Sequence, residues 1–378
     1  MKHVEGYYEP IDKLSNEIAK NAEMTRDEMA FLCGLIKESK PSKIVEVGVA
    51  AGSTTAVIIN CLELLDMKTA LFSVDLNEKL YYQEEKLTGH IANEYISNKV
   101  LNTDFSLLVG SYLPEQLERI GNGIDLVILD TVHHLPGEIL DFLAILPFLS
   151  DHAIVVLHDI SLEHLNPKND RYAYATQVLF QTVTASKFLN NEKEYPNIGA
   201  FSVDESTREN VFDVFSALTL SWHYFLDERE LSIYQRVYRK YYDKDLYRIF
   251  DQAIELNRLS LFRLDYYTTQ YINVLVNSLF NSFQHVLLYG AGLRSRCLQK
   301  YLNEIEGVKD KIEVVVSDKT EAKRKGCLAW DNINYTKTEA LIILAADSDT
   351  VRGMLKESDR VWLDIPSSVW NDLVTVYK

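Results

Sequence analysis

Short runs of apolar, mostly β-branched residues recur through the first half of the chain, each bounded by polar or glycine-containing turns. The five clearest runs cover residues 44–47, 70–75, 105–109, 124–130 and 152–157. Their length and composition predict buried strands.

Segments with a helical spacing of apolar residues lie between and after these runs. Residues 53–65, 140–149 and 174–188 predict helices, and residues 198–203 predict a late strand. Because strands and helices alternate, residues 41–205 predict an α/β domain built on a parallel sheet.

The chain before this domain predicts a mostly helical leader over residues 1–40. Thr25 is followed three residues later by Glu28, the spacing of a capping box in which the two side chains bond to each other's backbone. A helix is therefore expected to begin just after Thr25.

Residues 206–280 have a different character, with helical periodicity, dense tyrosine and phenylalanine and no glycine. Aromatic side chains at helical spacing favour core or interface packing, and an acceptor-binding surface is the alternative. The segment predicts helices that bridge two domains, and it is a candidate subunit interface of a homo-oligomer.

A second strand–loop–helix pattern begins in residues 281–378. Strands are predicted at 285–289, 312–318 and 341–346, and Gly290-Ala291-Gly292 follows the first of them. The third glycine of a dinucleotide fingerprint would fall at Ser295, so that fingerprint is incomplete.

Composition narrows the classes of function. The 378 residues carry a net charge of −16 without a strongly basic run, which argues against nucleic-acid binding because phosphates need neutralisation. The four cysteines have no C-x-x-C spacing, as expected of a reduced cytoplasmic protein. No apolar run is long enough to span a membrane.

The loop after the first strand reads Glu46-x-Gly48-x-x-x-Gly52-Ser53-Thr54. Glycines permit a tight turn or a close approach of the backbone to a ligand, and the helix that begins at Ser53 or Thr54 offers free N–H groups. This is the arrangement of a nucleotide-type cofactor site. The spacing is wider than that of the dinucleotide fingerprint.

Polar residues follow the later strands in order. Asp75, the pair Gly110-Ser111, Asp130 and the pair His158-Asp159 each stand where an apolar run ends. The carboxyl ends of parallel strands meet at one edge of a sheet, so we expect these residues to converge on one crevice.

The loop resembles motif I of class I S-adenosylmethionine (SAM) methyltransferases. The resemblance implies that Glu46 lies under the methionine moiety, that Gly48 and Gly52 make room for it, and that Asp75 binds the ribose. It places adenine contacts at Gly110 and Ser111, and Ser53 and Thr54 at the cofactor side of the helix start. It also implies a late antiparallel strand.

The pattern Asp130-x-x-His133, followed by His158-Asp159, resembles the pattern found in a family that includes cephalosporin-hydroxylase-like proteins and macrolide-sugar O-methyltransferases. That resemblance, over residues 41–205, implies a Mg²⁺ or Mn²⁺ site at Asp130, His158 and Asp159. It implies that His133 is the general base, with His134 as the alternative. The C-terminal residues resemble the Y-G-A-G domain appended to sugar-modifying enzymes.

Together these resemblances imply a Rossmann-like methyltransferase sheet, an aromatic-rich helical middle segment and a second, smaller Rossmann-like α/β domain. The expected function is SAM-dependent O-methylation of a small hydroxylated acceptor, a sugar or a sugar-bearing metabolite. Two alternatives are a nicotinamide-dependent oxidoreductase that uses Gly290-Ala291-Gly292, and a non-catalytic binding or assembly protein of the same fold.

Overall fold

A computed structural model of the chain describes residues 2–14, 18, 22–81, 83–97, 99–166, 173–190, 196–261, 266–303, 308–346 and 348–377. The chain forms two compact units, Met1–Asn257 and Arg258–Lys378. The division falls inside the aromatic segment predicted over 206–280.

An eight-stranded sheet lies at the centre of the first unit, with the order β1-β9-β10-β8-β7-β2-β3-β6. These strands are β1 (Lys2–His3), β2 (Lys43–Val47), β3 (Ala70–Asp75), β6 (Asp104–Val109), β7 (Ile124–Leu129), β8 (Leu149–His158), β9 (Ser186–Leu189) and β10 (Ile198–Ser202). The six predicted strands are confirmed. A separate two-stranded ribbon joins β4 (Lys79–Leu80) and β5 (Gln83–Leu87).

The five neighbouring strands β6, β3, β2, β7 and β8 are parallel to one another. Strand β10 runs antiparallel to both of its neighbours, β8 and β9. The predicted helix over 174–188 is wrong in its last part. It ends at Thr182, and residues 186–189 form β9, where Phe188 pairs with Ala200. Pairing with a neighbouring strand overrides the local helical pattern.

Helices of the first unit cover both faces of the sheet. The predicted helix over 140–149 instead spans Gly137–Ile145 and continues as a 3₁₀ turn, Leu146–Phe148. Pro147 has no N–H to continue an α-helix, and Leu149 already begins β8. The helices are Glu9–Asp12, Arg26–Ser39, Ser53–Leu64, His90–Ile96, Leu113–Ile120, Gly137–Ile145, Leu162–Leu165, Ala175–Thr182, Glu205–Glu209, Val211–Ala217, Glu228–Tyr241 and Lys244–Leu261, the last of which runs past the end of the unit at Asn257.

Two apolar cores lie on the two faces. Arg26–Ser39 packs with Ser53–Leu64 on one face, and the predicted capping box at Thr25 and Glu28 is present at its start. The other face is covered by Gly137–Ile145 and by the aromatic helices that follow the sheet. Tyr238 is fully buried there and donates a hydrogen bond to the Leu140 carbonyl at 2.8 Å. The leader also contains β1, which the sequence did not predict.

The second unit is a five-stranded parallel sheet with the order β13-β12-β11-β14-β15. Its strands are β11 (His285–Tyr289), β12 (Ile312–Val316), β13 (Leu328–Ala329), β14 (Ala340–Leu344) and β15 (Val361–Asp364). Its α-helices are Tyr266–Val274, Leu293–Asn303, Lys319–Lys325, Asp349–Glu357 and Ser367–Tyr377, and Leu275–Leu279 forms a π-helical turn. The three predicted strands are present, although β12 and β14 end two residues early.

The fold class predicted from the sequence is confirmed. Among the helices of the described residues, none is long and apolar enough to cross a membrane.

Candidate active site

The glycine loop joins β2 to the helix Ser53–Leu64 where the strand order reverses, since β3 and β7 lie on either side of β2. Gly48 has a φ of +90°, and a Cβ there would lie 1.7 Å from the Asp130 carbonyl oxygen. Gly52 has a φ of +89°. Side chains are excluded at Gly48 by both conformation and space, so the loop packs directly on the end of β7.

Asp75 fixes the shape of this loop. Its Oδ2 accepts hydrogen bonds from the backbone N–H groups of Val49 and Ala50 at 2.9 and 3.1 Å. The carboxylate also lines the cavity above the loop. The carboxylate of Asp75 therefore orders the glycine loop, and the loop in turn holds the carboxylate in place.

Glu46 lies below the loop and is 1% exposed. Its Oε2 accepts from the Thr55 and Ser73 hydroxyls at 2.7 and 2.6 Å, and its Oε1 has no partner among the described groups. Burial raises the pKa of this carboxyl to about 7, although the two hydroxyls oppose the shift. Glu46 does not reach the cavity wall.

A cavity of about 390 Å³ opens above the loop. Ser53, Thr54, Asp75, Ser111, Asp130 and His133 line it, whereas Gly110, His134, His158 and Asp159 do not. Further lining residues that the sequence analysis did not select are Glu23, Tyr81, Tyr112, Asp141, Tyr224 and Tyr234.

The cavity wall is acidic. Glu23, Asp75, Asp130 and Asp141 contribute carboxyl groups, and no lysine or arginine is found among the described lining residues. Such a wall suits a cationic ligand, since a positive charge compensates buried carboxylates. The sulfonium and ammonium groups of SAM meet this requirement, and the glycine loop provides the close backbone approach.

His133 stands among carboxylates at one end of the cavity. Its Nε2 lies 3.1 Å from Asp159 Oδ2 and 3.7 Å from Asp130 Oδ1, and its Nδ1 lies 3.3 Å from Glu138 Oε1. Ligand atoms of Asp130, His133 and Asp159 all lie within 4.8 Å of one another. These three residues could hold a divalent ion; an imidazole nitrogen beside two carboxylate oxygens suits Mn²⁺ or another transition metal better than Mg²⁺, which prefers oxygen ligands.

The neighbouring carboxylates determine the protonation state of the His133 ring. Burial lowers the pKa of His133, but the three adjoining carboxylates outweigh that effect and raise it to about 9. Glu138 is completely buried and also accepts the His133 backbone N–H at 2.7 Å. Glu138 was not selected from the sequence, because it lies within an apolar helical pattern.

His158 lies behind Asp130. Its Nδ1 is 3.1 Å from Asp130 Oδ1, and its Nε2 is 3.7 Å from Glu28 Oε2. Burial lowers the pKa of His158, but Asp130, Glu28 and Asp159 raise it well above its usual value. Glu28, which was recognised in the sequence only as a capping residue, therefore also reaches the acidic centre.

His134 points elsewhere. Its Nδ1 lies 2.7 Å from the Val132 carbonyl, and its ring packs edge-on against His223. The structure thus brings Asp130, His133, His158 and Asp159 together and leaves His134 beside them.

Comparison with known proteins bears on this site. A family model described as a methyltransferase domain matches residues 45–160, from β2 to just beyond β8. The first unit therefore contains a Rossmann-like methyltransferase domain of class I. Residues 45–160 thus form a domain of the SAM-dependent methyltransferase kind.

Solved structures with a similar fold include three O-methyltransferases. A putative O-methyltransferase from Klebsiella pneumoniae is 15% identical with a TM-score of 0.38, over 50% of this chain and 89% of that one. TomG from Streptomyces achromogenes, involved in tomaymycin synthesis and solved with SAM, is 17% identical with a TM-score of 0.38, over 50% and 91%. An enzyme from Bacillus cereus in complex with SAH is 16% identical with a TM-score of 0.36, over 52% and 89%.

Similarity at this level transfers no substrate. A search of curated proteins gave no match to this chain.

Proposed function

We propose that the chain transfers a methyl group from SAM to a hydroxyl group of a small acceptor, a sugar or a sugar-bearing metabolite. The observation that carries the proposal is the position of His133, which lies on the wall of the cofactor cavity with its Nε2 beside two carboxylates. An imidazole in that position can take a proton from a hydroxyl and be stabilised as an imidazolium.

The residues divide into cofactor-binding and acceptor-activating groups. We assign Gly48, Gly52 and the helix start at Ser53 and Thr54 to the cofactor, together with Asp75 for its ribose hydroxyls. SAM supplies a methyl group on a cationic sulfur that needs no further activation. What the protein must add is alignment and a deprotonated acceptor oxygen.

We assign His133 Nε2 as the group that takes the proton of the acceptor hydroxyl. The acceptor oxygen then forms a bond to the methyl carbon as the sulfur–carbon bond of SAM breaks. With the pKa of His133 raised to about 9, the ring is protonated at neutral pH unless positive charge enters nearby. A bound sulfonium, or a metal ion held by Asp130, would lower the pKa of His133 and favour the neutral ring, which can accept a proton. Cofactor binding would then prepare the base.

A divalent ion is the second part of the proposal. Asp130 and Asp159 provide oxygen ligands, and an ion there would lower the pKa of a bound acceptor hydroxyl. His158 Nδ1 already faces Asp130, so we assign His158 to holding that carboxylate, with direct ligation as the alternative.

The acceptor assignment rests on chemistry and on the family resemblance. Lysine and arginine are missing from the described cavity lining, which disfavours an anionic group near the reacting atoms. Carboxylates and tyrosine hydroxyls suit a neutral polyhydroxylated ligand.

The test is methyl transfer from isotopically labelled SAM to panels of neutral sugars, glycosides, phenols and sugar phosphates, with and without EDTA. We expect label on a neutral hydroxylated acceptor, lost in EDTA and restored by Mn²⁺ or Mg²⁺. Labelling confined to nitrogen or to anionic acceptors would contradict the acceptor assignment. Full activity in EDTA would contradict the metal assignment alone.

A further inference from the structure

We propose that Glu23, held in place by Tyr81, binds a second hydroxyl group of the acceptor, other than the one that is methylated. The proposal rests on the function proposed above, in which the acceptor is a neutral polyhydroxylated molecule. It makes Glu23 a specificity-determining residue and gives the leader a part in acceptor recognition.

Glu23 and Tyr81 form a rim of the cavity above the glycine loop. Both residues line the cavity, and both are exposed, Tyr81 to 66%. Tyr81 directly follows the ribbon strand β4, whereas Glu23 belongs to the leader. The Tyr81 hydroxyl donates a hydrogen bond to Glu23 Oε1 at 3.1 Å. The two segments therefore meet on the side of the cavity that is open to solvent, where an acceptor can enter.

Apolar packing positions both segments against the glycine loop. Leu80, which precedes Tyr81, is buried together with Ala51 of the loop, and Ile18 of the leader packs against the same cluster. The two sides of the rim are thus placed by the loop that forms the cofactor site. Glu23 and Tyr81 have defined positions for this reason, although both are exposed.

The leader also approaches the residues that we assign to acceptor activation. Glu28 is buried, and its Oε2 lies 3.7 Å from His158 Nε2, while His158 Nδ1 lies 3.1 Å from Asp130 Oδ1. Glu23 lies five residues earlier in the chain. Burial raises the pKa of Glu23, and the nearby charge of Asp130 adds to that effect. Glu23 therefore lies on the side of the cavity where we place the acceptor.

The carboxylate of Glu23 can accept a further hydrogen bond. Tyr81 occupies Oε1, and no lysine, arginine or histidine of the described residues lies within ion-pair distance of Glu23. A carboxylate has acceptor positions on both oxygens. A sugar hydroxyl is a neutral donor that fills such a position without adding an anion to an acidic wall. A simple phenol has only the hydroxyl that is methylated, so it cannot make this contact.

The test compares methyl transfer to methyl glycosides of common hexoses with transfer to their monodeoxy analogues, each of which lacks one hydroxyl group. The position of the label in the product identifies the methylated oxygen, so that the other positions can be compared. The proteins are wild type, Glu23→Ala and Glu23→Gln, whose amide oxygen can still accept a hydrogen bond. The control is Glu85→Gln, which changes an exposed carboxyl group in β5 of the same ribbon, outside the cavity lining. Calorimetry with S-adenosylhomocysteine measures cofactor binding in all four proteins.

In wild type and Glu85→Gln, we expect one analogue that keeps the methylated hydroxyl to have a kcat/KM about tenfold to a hundredfold lower than its parent glycoside. This is the scale of one hydrogen bond to a charged group. In Glu23→Ala the parent and this analogue should react equally, and Glu23→Gln should give an intermediate ratio. The affinity for S-adenosylhomocysteine should be the same in all four proteins.

A ratio in Glu23→Ala as large as in wild type would overturn the proposal. A loss of S-adenosylhomocysteine affinity in Glu23→Ala would also overturn it, because Glu23 would then bind the cofactor. A wild type that labels no glycoside would overturn the acceptor assignment of the proposed function, and this inference with it.

Discussion

At the scale of single residues, the site is organised around His133. Its backbone has a φ of +58°, a conformation that non-glycine residues adopt at a cost. The hydrogen bond from its N–H to the buried Glu138 holds it there. Asp159, with the same φ of +58°, is held in turn by Asn197, which donates to its Oδ1 at 2.6 Å. Fixed backbone positions at both residues keep the imidazole between two carboxylates.

Replacing the base tests its role directly. His133→Ala should lower kcat by about 10²–10⁴-fold, because the acceptor proton loses its destination. The affinity for SAM should change little. Rates of labelled methyl transfer and calorimetric affinities give the two values. His134→Ala, which removes a ring bonded to a backbone carbonyl, should keep near-wild-type activity, and the reverse pattern would move the base to His134.

Glu46 should make stability depend on pH. The folded-state pKa of about 7 lies above the ordinary 4.5, so the folded protein binds more protons and loses stability as the pH rises from about 4.5 to 7. The loss from this one group is about 3 kcal/mol.

Urea unfolding of wild type and Glu46→Gln at pH 4.5 and at pH 8 measures this term. The free energy of unfolding of wild type should fall by more than that of the variant over this interval. Equal changes in the two proteins would show that Glu46 ionises freely in the folded state.

At the scale of secondary-structure elements, the sequence predicts the parts that local pattern determines. Apolar runs locate β2, β3, β6, β7, β8 and β10, because buried parallel strands need continuous apolar residues. It does not predict β1 or β9, which are short and depend on pairing with distant residues. Asp130 is predicted from its place at the end of an apolar run and His133 from the family resemblance, but Glu28 and Asp141 reach the site only through tertiary packing.

The glycine loop gives an element-scale prediction. Gly48→Ala should abolish measurable S-adenosylhomocysteine binding and lower stability by about 2–4 kcal/mol, because the new methyl group would collide with the Asp130 carbonyl. Gly123→Ala is the matched control, since Gly123 also has a positive φ of +78° but nothing within 4 Å of the added atom. It should cost about 1 kcal/mol and leave binding intact.

Calorimetry and thermal unfolding of both variants decide the matter. Equal losses in the two would mean that backbone conformation alone, and not the contact with Asp130, requires glycine at position 48.

At the scale of the whole molecule, the two units differ in the functional groups that they carry. The first unit has a cavity lined by conformationally fixed acids and an imidazole. The second has a five-stranded parallel sheet with Gly290 at a φ of +115° after β11. Ser295, which stands in the position of the third fingerprint glycine, is buried.

We therefore expect the second unit not to catalyse hydride transfer. NAD or NADP added to the full chain with candidate alcohols and sugars should give no substrate-dependent change in nicotinamide absorbance. A turnover-linked change that disappears in a variant of Gly290 would restore the oxidoreductase interpretation.

The central claim, that SAM occupies the cavity above the glycine loop, is tested most directly by titrating S-adenosylhomocysteine calorimetrically into wild type and Asp75→Ala. Asp104→Ala, an exposed carboxylate at the start of β6, is the control. We expect one site in wild type and the control, and affinity weaker by about 1–3 kcal/mol in Asp75→Ala. Unchanged affinity in Asp75→Ala, or no binding to wild type, would contradict the account.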